Sequence, residues 1–221
     1  MSLVLLLGCA GTADTGTPPE ETGDTAIEGP CPVDMVQVGA LCIDAFEATV
    51  TGELGEADQG TAWPDGSTTA VAEALAGVVP SVNVSWYQTF AVCQNSGKHL
   101  CTVEEWQAAC GEALFPWGDS PEPVDVCAVA ATDGTTAWDE LQPAGSLPGC
   151  ASPAGVFDQM GNAWEWADPG EVGEDGRPIT AKLGGAFYAG GGSALCAAPA
   201  NNEHPPEFDG TIGVRCCREA R

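Results

Sequence analysis

Gly155-Val156-Phe157-Asp158-Gln159-Met160-Gly161-Asn162-Ala163-Trp164-Glu165-Trp166 is the stretch whose reading decides the fold. Trp164 and Trp166 read as core residues, and Gly161 lets the chain turn tightly without a Cβ in the way. Asp158 and Glu165 supply carboxylate oxygens, which either cap local backbone amides or meet a hard cation such as calcium. Working outward, Pro80-Ser81-Val82-Asn83-Val84-Ser85-Trp86-Tyr87 comes first, then Gly97-Lys98-His99-Leu100-Cys101-Thr102-Val103-Glu104-Glu105-Trp106. Phe115-Pro116-Trp117-Gly118 precedes the opening stretch, and Leu183-Gly184-Gly185 and Ile212-Gly213-Val214-Arg215-Cys216 follow it.

In that order, over Met35 to Arg218, these blocks resemble the domain of the formylglycine-generating enzyme, or sulfatase-modifying factor, family. The resemblance implies an α+β, loop-rich domain related to the C-type lectin fold, with little regular secondary structure and several disulfides. It implies pairing of Cys93 with Cys216 and of Cys110 with Cys196. It also implies a structural calcium held by side-chain oxygens of Asp158 and Glu165 and by the carbonyls of Gly161 and Ala163. A second calcium site would fall at Asp133-Gly134-Thr135, through Asp133 and Thr135, with Asp125 and Val126 beside it. Family enzymes bind copper(I) through two cysteines just after the Gly-Gly element, since soft thiolates suit that ion. Ala189 and Gly191 stand near those positions here, so copper is not expected and the reading leans away from an enzyme.

The chain has 221 residues, enough for one sizeable core, and its 44% hydrophobic content fits a globular domain. Its 32 acidic and 6 basic residues give a formal net charge of −26, which argues against nucleic-acid binding because phosphate contacts need Lys and Arg. The acidic surface reads mainly as a solvated, self-repelling face. Eleven cysteines without a Cys-x-x-Cys pair, and two distant histidines, His99 and His204, point to crosslinks in an oxidising compartment rather than to zinc.

Three regions are expected. Residues 1–9 read as a truncated lipoprotein-type signal, with Leu6-Leu7-Gly8-Cys9 resembling a lipobox that would lipidate Cys9. Residues 10–30 are rich in Thr, Gly, Pro and acidic residues and read as a disordered tether. Residues 31–221 form the domain. Setting Cys9 aside leaves an even number of cysteines. Six of these permit fifteen connectivities. The spacing suggests Cys31–Cys42 around a hairpin and Cys127–Cys150 around a Gly/Asp-rich loop, leaving Cys101–Cys217.

Short strands are expected at Met35–Val38 and Leu41–Ile43, and Gly52 to Thr69 reads as a loop or insertion. Ser85 is a fitting N-cap for a helix from Trp86 to Asn95, ahead of Gly97. Thr102 and Glu105 form a capping box for a helix ending near Cys110. No Gly-x-Ser-x-Gly elbow occurs, Gly190-Gly191-Gly192 lacks the Lys-Ser/Thr of a phosphate loop, and Tyr188, Glu203 and His204 are polar residues that could line a pocket. The expected function is a surface-anchored binding or interaction module of the bacterial cell envelope, outer membrane or extracytoplasmic face. It would be calcium-stabilised, meet a protein, peptide or glycan ligand, and touch the membrane only through its lipid. The alternative is an oxidoreductase of the formylglycine-generating type.

Overall fold

The computed structural model describes residues 29–55, 68–120, 126–130, 138–189, 194–197, 201–203 and 210–221. The expected lipobox and all of the tether up to residue 28 lie outside them, as do residues 56–67 of the expected insertion.

The first sheet begins with β1 (Met35–Val38) and β2 (Leu41–Asp44), an antiparallel hairpin around Gly39, whose positive φ suits a glycine. Its order is β1-β2-β10-β5, with β5 at His99–Leu100 and β10 at Cys216–Glu219, so the C-terminal strand lies between the hairpin and the middle of the chain. A separate two-stranded ribbon pairs β3 (Thr49–Thr51) with β4 (Val71–Glu73). The second sheet runs β8 (Asn201–Glu203), β7 (Thr180–Leu183), β6 (Trp164–Ala167), β9 (Ile212–Gly213), with β6 and β9 parallel.

Two helices connect the layers. In α1 (Trp86–Asn95) Ser85 accepts from the Gln88 amide and the Gln88 side chain accepts from the Ser85 amide. In α2 (Val103–Cys110) Thr102 and Glu105 make the same reciprocal box. Each box satisfies two amides that the first helical turn leaves without partners. Among the described residues no helix is long and apolar enough to cross a membrane.

Three tryptophans are completely buried, and each indole N–H has an acceptor. Trp86 donates to the Ala167 carbonyl at 3.0 Å, Trp166 to the Val84 carbonyl at 2.8 Å, and Trp106 to the Glu165 carboxylate at 2.5 Å. These bonds let the rings fill the core without stranding a polar atom.

Five disulfides cross this framework: Cys31–Cys42, Cys93–Cys216, Cys101–Cys217, Cys110–Cys196 and Cys127–Cys150. Successive side chains on a strand point to opposite faces. Neighbouring Cys216 and Cys217 therefore reach different partners, Cys93 on α1 and Cys101 just after β5, and staple β10 from both sides. The result is an α+β, loop-rich fold, low in regular secondary structure and crosslinked throughout.

Candidate functional site

The centre of the molecule is a carboxylate–guanidinium cluster built around the stretch ending at Trp166. Arg215, entirely buried, donates from Nε to Glu165 Oε2 at 2.8 Å and from Nη2 to Glu165 Oε1 at 2.7 Å. Its remaining donors reach the Asp44 carbonyl through Nη1 and the Phe157 carbonyl through Nη2, each at 2.7 Å. Beside this fork lies Glu47, from the segment between β2 and β3. It accepts the Ala163 amide at 2.8 Å and also the Asn162 side-chain amide. Asp158 accepts the Gly145 amide at 2.6 Å.

Gly161 and Asn162 both have positive φ. A Cβ on Gly161 would stand 2.2 Å from the Ala128 carbonyl oxygen, so only glycine fits. The backbone of the turn is tied outward: Gly161 N–H donates to the Gly184 carbonyl, Asn162 N–H to Ala128, and Phe187 N–H to Asn162. The Gly-Gly element is thereby fastened to the tryptophan stretch.

Glu47 and Asp158 are also buried and lie near enough to the Glu165–Arg215 pair to feel its charges. Burial, reinforced by Asp158 and Glu165, pushes Glu47 well above the usual carboxylate range. Burial likewise pushes Asp158 up to about 6, against the pull of the Gly145 amide and Arg215. Burial opposes the charge on Arg215, but Glu165 more than offsets it and holds the guanidinium protonated.

The model of the sulfatase-modifying factor enzyme 1-like domain matches residues 8–220. The chain belongs to this family. It is 28% identical over 166 residues to the formylglycine-generating enzyme of Mus musculus, covering 63% of this chain and 44% of that protein. It is 33% identical over 112 residues to the inactive C-alpha-formylglycine-generating enzyme 2 of Mus musculus, covering 47% and 35%. The matches therefore span less than half the length of either relative. The structure of CarF shares the fold, with a TM-score of 0.57 at 18% identity, covering 82% of this chain and 87% of that one.

Within the sulfatase-modifying factor frame, one expectation requires correction. The sequence reading placed the loss of the catalytic cysteine pair at Ala189 and Gly191. Instead, the cysteines at the family's cysteine positions are present and oxidised: Cys93–Cys216 and Cys101–Cys217 are formed disulfides. The physical reason is the register of β10, which sets Cys216 opposite Leu100 and Cys217 opposite His99 and so carries both sulfurs to partners. Gly191 lies outside the described residues. Ala189 is in a turn, its amide donating to the Ala186 carbonyl at 2.8 Å.

The carboxylates expected to hold calcium have other partners in this structure. Both Glu165 oxygens are taken by Arg215 and Trp106, and an Asp158 oxygen by Gly145. A guanidinium seated on Glu165 also repels a second cation. Among the described residues no three His, Cys, Asp or Glu side chains gather where they could hold a metal. The amides of Gly161 and Ala163 donate to the Gly184 carbonyl and to Glu47. Of the second set, Asp125, Asp133 and Thr135 lie outside the described residues, while Val126 packs half-buried against the core.

Glu47 and Arg215 were not singled out as site residues. The signal for Arg215 was a cation inside the apolar Ile212-Gly213-Val214 block; Glu47 had only its apolar neighbours, Phe46 and Ala48. At the surface above, Tyr188 is 44% exposed and its hydroxyl lies 3.1 Å from Thr211 Oγ1. His204 and the Glu203 side chain are outside the described residues. His99 is engaged, its Nε2 lying 3.0 Å from both Glu105 oxygens.

Proposed function

We propose that this domain is a non-catalytic binding or interaction module of the cell envelope, taking a protein, peptide or glycan ligand. The observation that carries this reading is that all ten described cysteines are consumed in disulfides. Copper(I) oxygen chemistry in this fold needs free thiolates, and a disulfide sulfur is neither a nucleophile nor a strong ligand. The exposed Tyr188, beside Thr211, supports a recognition role, because an aromatic ring with a polar tip suits a contact surface. It stands on a rigid base, since the neighbouring Phe187 is bonded to the Asn162 turn.

The calcium-stabilised form of this reading lacks support from the engaged carboxylates. Attachment through a lipidated Cys9 belongs to the same proposal. Partition of the full chain into the detergent phase, lost in Cys9→Ala, is the expected result; an unmodified Cys9 would remove the anchor.

Incubated with copper(I), oxygen and a sulfatase-derived cysteine peptide, the oxidised protein is expected to leave the peptide mass unchanged. Conversion to formylglycine above a no-protein control overturns the non-catalytic reading.

A further inference from the structure

Leu75-Ala76-Gly77-Val78-Val79 is a run of five apolar residues, and every one of them is exposed. Of the seven large apolar side chains exposed among the described residues, three belong to this run: Leu75 at 41%, Val78 at 38% and Val79 at 48%. A folded surface usually scatters such side chains singly, so a consecutive exposed run marks a contact surface. The run stands between buried Ala74, which follows the end of β4, and buried Pro80.

The loop is held in place by a reciprocal backbone pair, Gly77 N–H to the Ala144 carbonyl at 2.8 Å and Ala144 N–H to the Val78 carbonyl at 2.9 Å. The segment on the other side of this pair is fixed in turn to the buried centre. The Gln142 backbone exchanges two bonds with the Asn162 side chain, and the Gly145 amide donates to Asp158. Phe46 lies so close to Gly145 that a Cβ there would overlap its ring, and it stacks on Phe157 with centroids 5.1 Å apart. Both rings are half-buried, so apolar ground continues beside Ala144. No charged residue occurs between Glu73 and Lys98 or between Glu140 and Asp158, and these two uncharged stretches meet where Gly77 pairs with Ala144. A loop already ordered loses little freedom on binding.

Charge decides what covers the loop. Glu73, Asp139 and Glu140 are exposed at the starts of the two stretches. Lys98, which ends the first, has its side chain only 5% exposed, held by Asp34 and Asp44. A second copy would set the same acidic rim against itself, on a chain of net charge −26. A bilayer surface favours apolar residues flanked by Lys or Arg, and anionic lipids repel an acidic chain. We propose that the loop at residues 75–79 docks into an apolar cleft of a partner protein whose rim carries Lys and Arg. This names the partner's chemistry and rests on the binding-module reading above.

The experiment titrates the full chain into labelled synthetic peptides that stand in for the partner surface, followed by fluorescence anisotropy. One has a Leu/Val core flanked by lysines, the second the same core flanked by glutamates, and the third a serine core flanked by lysines. Saturable binding is expected of the first, weakened about tenfold by L75S and further by V78S/V79S, as loss of buried apolar contact requires. E73Q/D139N/E140Q is expected to weaken it and to flatten its salt dependence. Each substitution replaces an exposed side chain, so the fold is kept. No binding of the first peptide, equal binding of either control, or binding unchanged in V78S/V79S overturns the proposal. Loop-dependent dimerisation in sedimentation equilibrium assigns a second copy instead, and loop-dependent pelleting with phosphatidylcholine vesicles assigns a bilayer; either also overturns it. The formylglycine assay does not involve the loop, so failure here leaves the non-catalytic reading standing.

Discussion

At the scale of single residues, the centre of this domain depends on atoms that touch. Gly161 is held at φ 79° with its missing Cβ facing the Ala128 carbonyl at 2.2 Å and Val129 Cγ1 at 2.3 Å. Neither neighbour can retreat cheaply: the Ala128 carbonyl is accepting from Asn162, and Val129 lies in the core cluster. Gly161→Ala should therefore cost about 3 kcal/mol or more, combining overpacking with a left-handed backbone that an L side chain disfavours. Urea unfolding under non-reducing conditions measures it; a variant as stable as the parent would mean that the turn is looser than its contacts indicate. Glu165, further along the chain in β6, is fixed differently, by a guanidinium fork and an indole N–H. Its role as the internal partner of Arg215 could not be read from the stretch itself, because Arg215 lies 50 residues away and only the fold brings the two together.

Among the elements, the helices were the most legible. Ser85 and Thr102 announce their helices because capping is local chemistry, decided within four residues; the box at Thr102 closes as its sequence implies, and Gln88 completes a second at Ser85. The hairpin around Gly39 was readable for the same reason. Sheet order was not, since nothing local places β10 between β2 and β5 or makes β6 and β9 parallel. Glu47 was hidden likewise: its partners Asn162 and Ala163 lie 115 and 116 residues on. The cysteines fall between these extremes. Their spacing left the pairings of Cys101 and Cys217 open, and the alternation along β10 is what separates the two neighbouring sulfurs. That alternation has an energetic consequence. Cys93–Cys216 and Cys101–Cys217 close nearly the same loop, with separations of 123 and 116 residues, so either bond alone already restrains most of the unfolded chain. Replacing one pair by alanine should cost about 2 kcal/mol, near the lower end for a native disulfide, while removing both should exceed the sum of the single losses. Denaturant midpoints of the two single-pair variants and the combined variant test this, and strict additivity would contradict the shared-loop argument.

For the whole molecule, charge is the dominant property, and the interior repeats the imbalance of the surface. Lys98 is flanked by Asp34 at 2.5 Å and Asp44 at 2.6 Å, so one ammonium faces two carboxylates and one negative charge is in excess. Burial pushes Asp44 up to about 6, against the pull of Lys98 and the Cys216 amide. In the unfolded chain the same group titrates near 4. A carboxylate whose pKa is raised by folding is taken up neutral at low pH without penalty, so its contribution is fully present below about pH 4 and is lost as pH rises through about 6. Glu105 has the opposite sign: burial pushes it up, but hydrogen bonds from His99 and Thr102 outweigh burial and hold it below its usual range. Its stabilisation is lost only as pH falls below the ordinary carboxylate range, outside the Asp44 window. Self-repulsion among 32 acidic residues acts in the same direction as Asp44, growing as carboxylates ionise. The domain is therefore expected to melt at a higher temperature at pH 5 than at pH 8, with Asp44 contributing about 1.4 kcal/mol of the difference, the equivalent of one pKa unit. Asp44→Asn retains an acceptor for the Cys216 amide and leaves Asp34 on Lys98, so the fold should persist while the slope of melting temperature between pH 4.5 and 6.5 becomes shallower. Added salt should flatten the surface contribution and leave the Asp44 step, because a buried pair is screened far less than an exposed one. A profile unchanged by the substitution would place the pH dependence on the surface and on buried Glu47 and Asp158, which burial also pushes up.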